Sequence, residues 1–389
     1  MTRLDQLLPN NPTMTKVIII GGGIGGLSLA NALQLHGIDF DLFEQAPALT
    51  EVGAAIGLSK VALDILDEFN LISQVREAGS IISNMRLADK NLNILRVIPP
   101  EGSAVVLHRA RLIDILSSTL PKNKIHLNRK LTVLQSEKDF SLLRFSDGSE
   151  IKSDCTAVAD GLQSFCRKQL FPELEIRYAG QTIWRGITEM QLPANHINTF
   201  TEIWDDAKRF LFVPMDGKNV CWLAIKNAPV GEQDDPQTVR LKLLTEYESF
   251  HPLVKELLSR SSNFIRSDLA DLADHNQNWH HNKIVFLGDA IHATTPNMAQ
   301  GACQAMEDAH CLSWLMKKQK GDFSLVYPVY QEIRAKKVSL IVKTSWQMGK
   351  MAHSRIGASL VKAIFKYAPD RVFLSLERKL NDVSYLRNH

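Results

Sequence analysis

The chain has 389 residues with 45% hydrophobic content, and its 45 basic and 42 acidic residues leave a net charge of +3, enough apolar material for two domains and no basic field of the kind nucleic-acid binders carry. Five cysteines (Cys155, Cys166, Cys221, Cys303, Cys311) form no CxxC pair and no regular spacing, which argues against a disulfide framework or a structural metal and fits reduced thiols in a cytosol. No stretch approaches the roughly 20 apolar residues that span a bilayer, and MTRLDQLLPNNPTMTK lacks the apolar core of a signal peptide, so a cytoplasmic protein with no integral membrane association is expected.

Residues before Met14 read as a disordered leader. Lys16 to Ile20 is a short β-branched run that ends at glycines, Leu27 to His36 carries apolar residues at helical spacing, and Asp39 to Glu44 alternates as a strand does, which together make a βαβ unit. Residues 58–78 read as one helix, Val105 to Leu107 as a strand, and Arg111 to Leu120 as a helix stopped by Pro121. Lys124 to Asp160 holds several short strands. Between Tyr178 and Lys226 longer alternating strands with bulky aromatics suggest an antiparallel sheet covered on one face. A helix over Pro236 to Ser261, the strand Ile284 to Leu287 and a helix over Ala302 to Trp314 follow. From about Phe323 the chain reads as helical.

The expected fold class is α/β with an α+β insert: a Rossmann-like nucleotide-binding domain of discontinuous segments, a mainly antiparallel β substrate domain and a helical tail. The expected boundaries are a leader at 1–15, the nucleotide-binding domain at 16–75, 100–175 and 270–325, the substrate domain at 76–99 and 176–269, and the tail at 326–389.

Gly21, Gly23 and Gly26 satisfy GxGxxG directly between a strand and a helix. The first glycine permits the tight turn, the second lets backbone amides, with Ile24 and Gly25, approach a pyrophosphate, and the third permits close packing. Glu44, followed by Gln45, ends the next strand, where an acid accepts hydrogen bonds from an adenosine ribose. This motif does not separate FAD from NAD. The stretch GDAIHATTPNMAQGACQAMEDA, Gly288 to Ala309, does so: Asp289 at a strand end suits the ribitol hydroxyls that FAD has and NAD lacks. The amides of Gly301, Ala302 and Cys303, at a helix start, are placed to face the pyrimidine edge of a flavin.

These residues resemble the FAD-dependent aromatic monooxygenases of the p-hydroxybenzoate hydroxylase type. The resemblance rests on four stretches in order: the glycine turn with Glu44, Leu107-His108-Arg109, Ala159-Asp160-Gly161-Leu162-Gln163-Ser164 with Arg167, and Gly288 to Ala309. It implies that Arg109, Asp160 and Asp289, the last presented by Gly288, contact FAD, and that residues 51–57, Ala55 among them, lie beside the flavin. It also implies a cycle in which NADPH or NADH reduces FAD transiently, O2 adds as a C4a-hydroperoxide, and the distal oxygen hydroxylates or epoxidises an electron-rich aromatic small molecule. The hard chemistry is then the cofactor's, and the protein orients the substrate and excludes water. The alternatives are a flavin oxidoreductase without oxygen transfer and a FAD-retaining protein without turnover.

The expected substrate walls are Trp184, Arg185, Phe212, Pro214 and Trp222, with Met298 on the flavin side and Arg209 and Pro296 positioning flavin or substrate. Arg209 matches an arginine that urate-hydroxylating members place by the flavin, but this chain has Cys221 where they carry a tyrosine. An aromatic pocket with few charges suits a planar ring such as a quinolone, indole or phenol, with salicylate, kynurenine and tetracycline-type molecules left open. His292 reads as a packed histidine, and the pair His280-His281 as solvated, without a third metal ligand. The tail is expected to dock on the body, with a peripheral membrane or dimer contact as the rarer use, and the protein to be a monomer or homodimer.

Overall fold

The computed structural model describes residues 15–49, 55–98, 102, 104–205, 207–273, 278–319 and 322–383. A mainly parallel sheet forms from the most apolar runs. Strand β1 (Val17–Ile20) is four β-branched residues, all buried, as a strand covered on both faces requires. It pairs in parallel with β2 (Phe40–Phe43) and with β12 (Thr156–Val158), while β12 pairs in parallel with β19 (Ile284–Phe286). The short strands β8 (Ile125–His126) and β18 (His280–His281) close the two edges. Helix α1 (Ile24–Leu35) leads from β1 towards β2, and α9 (Gly301–Lys318) packs on it so closely that a Cβ on Gly25 would lie 3.4 Å from that of Ala305.

Two smaller antiparallel sheets flank this body. One is β3 (Ala55–Leu58), β7 (Ala104–His108) and β4 (Ser80–Ile82), and the other is β9 (Leu131–Ser136), β10 (Ser141–Phe145) and β11 (Glu150–Ser153). Helix α4 (Arg109–Ser118) begins where β7 ends, and the Ala110 amide donates to His108 Nδ1 at 3.2 Å, so His108 caps it.

The second large sheet has seven strands in the order β17-β13-β16-β15-β14-β5-β6. They are β5 (Asn84–Ala88), β6 (Ile94–Ile98), β13 (Ile176–Glu189), β14 (Thr199–Asp205), β15 (Lys208–Pro214), β16 (Asn219–Asn227) and β17 (Ile265–Leu272). All neighbours are antiparallel except β5 and β14. Alternation sorts the side chains to two faces. Trp184, Phe210, Phe212 and Trp222 lie fully buried in one cluster with Val239, Leu243, Leu257 and Leu258. Ile183, Leu211, Val213, Cys221 and Leu223 take the other face, where they meet Val106 of β7 and Trp346.

Two stretches expected as single helices are pairs. Residues 58–78 divide into α2 (Lys60–Glu68) and α3 (Ile72–Ala78), with Asn70 between them at φ 60, a left-handed conformation that asparagine tolerates. The Pro236–Ser261 stretch divides into α6 (Val239–Glu246) and α7 (Pro252–Arg260). Pro252 cannot donate to a preceding turn and starts a new helix instead. Apolar residues at helical spacing continue across the break through Tyr247 and Phe250, which is why periodicity alone concealed it.

The remaining helices are α5 (Phe165–Leu170), α8 (Asp289–His292), α10 (Tyr327–Ala352), α11 (Arg355–Tyr367) and α12 (Asp370–Leu380). Among the described residues no helix is long and apolar enough to cross a membrane.

Candidate active site

The glycine turn is held by its own backbone. A Cβ on Gly21, whose φ is +107, would land on the Ala159 carbonyl, and one on Gly26 would land on the Gly21 carbonyl oxygen, so both positions need glycine. The Glu44 carboxylate accepts the Gly22 amide at 2.6 Å and the Ala46 amide at 2.8 Å, which fixes the acid against the turn. Ile24 is buried in the first turn of α1, whereas Gln45 is exposed. Gly23 is the N-cap of α1 and has no side chain to satisfy the first amides of that helix, so they are available to an anion.

Asp160 and Asp289 come from neighbouring strand ends, after β12 and β19. Asp160 Oδ2 accepts the Cys166 amide at 3.2 Å, and its Oδ1 is buried with no hydrogen-bond partner among the described residues. Burial pushes the Asp160 carboxyl up, opposed by the Ser164 hydroxyl and the Cys166 amide. Asp289 opens α8 behind Gly288, whose φ is +59. Asp289 is exposed to solvent. The surrounding protein raises its carboxyl above the ordinary range, while His292, Arg109 and Arg167 oppose the shift.

Arg167 joins the two acidic segments. It is fully buried, and its guanidinium donates to the Ala290 carbonyl at 2.8 Å and to the Leu162 carbonyl at 2.5 Å. Burial lowers the Arg109 guanidinium, Asp289 opposes that, and Arg185 adds to it. Arg109, Arg185 and Asp289 therefore share one neighbourhood, Arg109 from the start of α4 and Arg185 from β13.

Helix α9 begins at Gly301, and its first intrahelical bond runs from the Gln304 amide to the Gln300 carbonyl at 2.9 Å. The amides of Gly301, Ala302 and Cys303 precede that bond and have no helical acceptor. A Cβ on Gly301 would lie 3.7 Å from Asp289 Oδ1, so this helix start and the Asp289 carboxylate face one space. The Cys303 thiol is turned away: it accepts the Ser59 amide at 3.5 Å and donates to the Gly57 carbonyl at 3.6 Å. Ala55 starts β3 nearby and backs onto Cys221. Residues 51–54 of the loop expected beside the flavin lie outside the described residues.

An orphaned carboxylate oxygen, a glycine turn in which Gly21 and Gly26 leave no room for a Cβ, and an unsatisfied helix start make a donor and acceptor set that fits FAD. The acceptors suit ribose and ribitol hydroxyls, and the amides suit pyrophosphate and the flavin carbonyl edge.

Pro296 to Met298 form a 3-10 turn beside this space. Asn297 anchors the turn: its Nδ2 donates to the Ser345 carbonyl at 3.0 Å, and its Oδ1 accepts Arg209 at 2.5 Å. Pro296 is left exposed and Met298 half-buried. Arg209 is 1% exposed and also pairs with buried Glu202 at 2.6 Å, so its guanidinium lies beneath the turn rather than open to a ligand.

The other expected wall residues separate by sheet face. Trp184, Phe212 and Trp222 pack under α6 and α7, with Pro214 on the same side of the pleat, and Trp184 Nε1 donates to Asp234 at 2.5 Å. This differs from the expectation that these rings face the cofactor, because bulky aromatics on a half-covered sheet serve the apolar core first. Arg185 alone of that group faces Arg109, and it donates to Ser267 Oγ at 2.6 Å.

Sequence reasoning missed a buried network behind Gly288. Asp308 Oδ2 accepts the Gly288 amide at 2.9 Å and meets His292 Nε2 at 2.5 Å, while Asp308 Oδ1 accepts Arg334 Nε at 2.8 Å. Arg334 also pairs with Glu307, which Lys337 reaches at 2.8 Å. The adjacent acids Glu307 and Asp308 on an apolar helix were the available signal. Nothing local marks Arg334 on α10 as their partner. His280 and His281 stand apart, His281 Nδ1 lying 2.7 Å from Ser136 Oγ, and among the described residues no cluster suits a metal.

Comparison with known proteins bears on the cofactor. The family described as FAD binding domain matches residues 14–322. Over 344 residues the chain is 33% identical to the aurachin C monooxygenase/isomerase of Stigmatella aurantiaca, covering 86% of this chain and 89% of that one. It is 27% identical to the 2-heptyl-3-hydroxy-4(1H)-quinolone synthase of Pseudomonas aeruginosa, again covering 86% and 89%. Among solved structures, Klebsiella pneumoniae HpxO complexed with FAD and uric acid shares the fold with a TM-score of 0.87 at 23% identity, covering 94% of this chain and 97% of that one.

Proposed function

The chain belongs to the FAD-dependent aromatic-ring monooxygenases of the p-hydroxybenzoate hydroxylase type, and from that premise we propose that it hydroxylates or epoxidises a planar, mainly apolar aromatic ring, taking electrons from NADH or NADPH. FAD, when bound, supplies electron transfer and the activation of O2. The residues of this chain bind, orient and desolvate.

Asp289 and Asp160 would accept hydroxyls of the ribitol and ribose, Glu44 would hold the adenosine end, and Arg109 balances the charge of Asp289. The Gly301 to Cys303 amides, at a fixed helix start, would hold the carbonyl edge of the flavin and stabilise negative charge there without reorganising. Pro296 and Met298 border the substrate. Arg209 acts as a positioning residue through Asn297.

The observation that carries the substrate reading is the cofactor side of the seven-stranded sheet. Phe200 and Leu223 are only partly buried there, and each belongs to both apolar clusters on that side. With Leu211 behind them and Arg185 as a cation beside Arg109, they form an apolar wall that would exclude water from the site. Arg185 is placed to donate to a ring carbonyl or phenolate oxygen. A 4-quinolone, the ring in the name of the Pseudomonas relative, has that shape and that oxygen.

The test is NADH and NADPH oxidation by the FAD-loaded protein with 4-quinolones, indoles, phenols and hydroxybenzoates, followed by product mass. A ring compound that stimulates oxidation and gains one oxygen atom is the expected result. Stimulated oxidation that yields only hydrogen peroxide with every compound rejects the monooxygenase reading in favour of an oxidoreductase without oxygen transfer.

A further inference from the structure

Helix α11 has two apolar faces, and the fold uses one. Ala358 and Val361 are buried, and Phe365 packs with Trp204 and Phe373. These residues repeat at three- and four-residue spacing, as a single docked face does. On the opposite side Ile356, Leu360, Ile364 and Tyr367 repeat at the same kind of spacing and face solvent, Ile356 at 86% and Tyr367 at 74% exposure. A soluble helix rarely exposes a continuous apolar stripe without a use for it.

The neighbouring helix supplies charge. The outer side of α12 presents Arg371, Leu374, Ser375, Arg378 and Lys379, which frame a shallow surface groove. Residues 356–380 contain five basic and two acidic residues, an excess equal to the net +3 of the whole chain. One of the two acids, Asp370, is paired with Arg96. Arg96 also donates to the carbonyls of Phe365 and Ala368 and lies over the Phe373 ring at 4.6 Å. The inner sides of both helices therefore close on the same arginine, and their outer sides turn away from the body together.

We propose that the outer faces of α11 and α12 form a peripheral docking surface for an anionic lipid bilayer. Ile356, Leu360, Ile364 and Tyr367 enter the headgroup boundary, and Arg371, Arg378 and Lys379 meet lipid phosphates. An apolar stripe beside an excess of cations is the pattern of helices that lie in the interface plane, and each nearby cation strengthens attachment to an anionic leaflet. A second copy of this chain would bring the same positive charge against itself, so charge complementarity favours the bilayer. The inference is independent of the substrate.

The test is flotation of the FAD-loaded full chain with vesicles of phosphatidylethanolamine and phosphatidylglycerol, and with vesicles of phosphatidylcholine alone. Flotation with the anionic vesicles is expected, to weaken with added salt as the charges are screened and to be nearly absent with phosphatidylcholine. The triple variant Ile356→Ser/Leu360→Ser/Ile364→Ser and the triple variant Arg371→Glu/Arg378→Glu/Lys379→Glu should each reduce bound protein about tenfold or more, with the flavin spectrum and melting temperature unchanged. The charge variant serves as an independent arm if the apolar one folds poorly. Wild-type protein that does not float, or variants that float as well as wild type, would overturn the proposal. A wild-type dimer split by the serine substitutions, without flotation, would assign the stripe to a second copy and overturn it equally.

Discussion

Asp308 accepts the backbone amide of Gly288 at 2.9 Å, so a carboxylate in the middle of α9 fixes the turn that presents Asp289. Burial alone would raise the Asp308 carboxyl, but His292 and Arg334 hold it well below the ordinary carboxylate range. Asp308→Ala leaves the Arg334 charge and the Gly288 amide without this acceptor. Breaking a buried pair from one side costs about 3–5 kcal/mol, so the variant should melt well below wild type and purify with little flavin, as read by calorimetry and the visible spectrum. A depressed carboxylate stabilises the fold above its unfolded pKa of about 4 and loses that contribution as pH falls through its folded value. Asp308→Asn should therefore flatten the acid limb of stability measured below about pH 4.

Asp289 is expected to act on FAD affinity rather than on folding, since its side chain is open to solvent. Asp289→Ala should weaken FAD binding by about ten- to a hundredfold, the worth of one or two charge-assisted hydrogen bonds, with the melting temperature of the flavin-free protein nearly unchanged. Asp289→Asn should lose less, because its carbonyl still accepts a hydroxyl. Flavin fluorescence titration reads both, and equal affinity in all three proteins would remove Asp289 from the binding site.

Gly25 and Gly26 are adjacent, yet alanine should be accepted at one and refused at the other. A Cβ at Gly25 meets Ala305 Cβ at 3.4 Å, Leu287 Cδ1 at 3.8 Å and Ala159 Cβ at 3.9 Å, all ordinary contacts, whereas at Gly26 it strikes the Gly21 carbonyl oxygen. Gly25→Ala should fold within about 1 kcal/mol of wild type, since the helix preference for alanine over glycine is of that size and the contacts are ordinary. Gly26→Ala should fail to retain FAD or fail to fold. Soluble yield and the ratio of flavin to protein absorbance check the pair.

Much of this was legible in the sequence. The glycine turn, Glu44 and the strand end carrying Asp289 were readable because local backbone demands fix residue type within a few positions, whereas Asp160 was marked by the family resemblance alone. The two large sheets were readable from runs such as VIII and from alternating aromatics. Which sheet face the aromatics take was not, since period two assigns residues to faces but not faces to partners. Tertiary partners such as Arg334 for Asp308, or Glu202 and Asn297 for Arg209, leave no trace in spacing. The α6 and α7 break was hidden because its apolar residues stay at helical spacing through the turn.

The face assignment gives a paired test on β16. Leu223→Trp fills the wall opposite the cofactor and should raise KM for a bulky substrate or uncouple oxidation from product, with stability near wild type. Trp222→Leu empties a site under α7, where the indole donates to Ser261 at 2.6 Å, and should cost about 3 kcal/mol or more with little change in KM. Reversed outcomes would place the substrate on the other face.

His353 sits at the junction of α10 and α11, where it contacts the Ala207 carbonyl at 2.9 Å. Burial and then the neighbouring Arg209 lower it to about 3. A histidine lowered in the folded state is protonated first in the unfolded chain, so stability falls as pH drops from about 6.5 towards the folded value, by at most about 1.4 kcal/mol per pH unit. His353→Gln should remove part of that slope between pH 6.5 and 4 in urea unfolding curves, and an unchanged slope would assign the acid sensitivity elsewhere.

The parallel sheet has a consequence for synthesis on the ribosome. Strand β12 lies between β1 and β19, so its outer edge has no neighbour until Ile284–Phe286 have left the exit tunnel. At roughly 5–20 residues per second, the stretch from β12 to β19 leaves a buried-type strand open for roughly 6 to 25 seconds. Long-range pairing of this kind slows folding, and an open apolar edge invites other chains. Nascent chains ending between residues 160 and 280 should therefore depend on chaperones far more than the finished protein does.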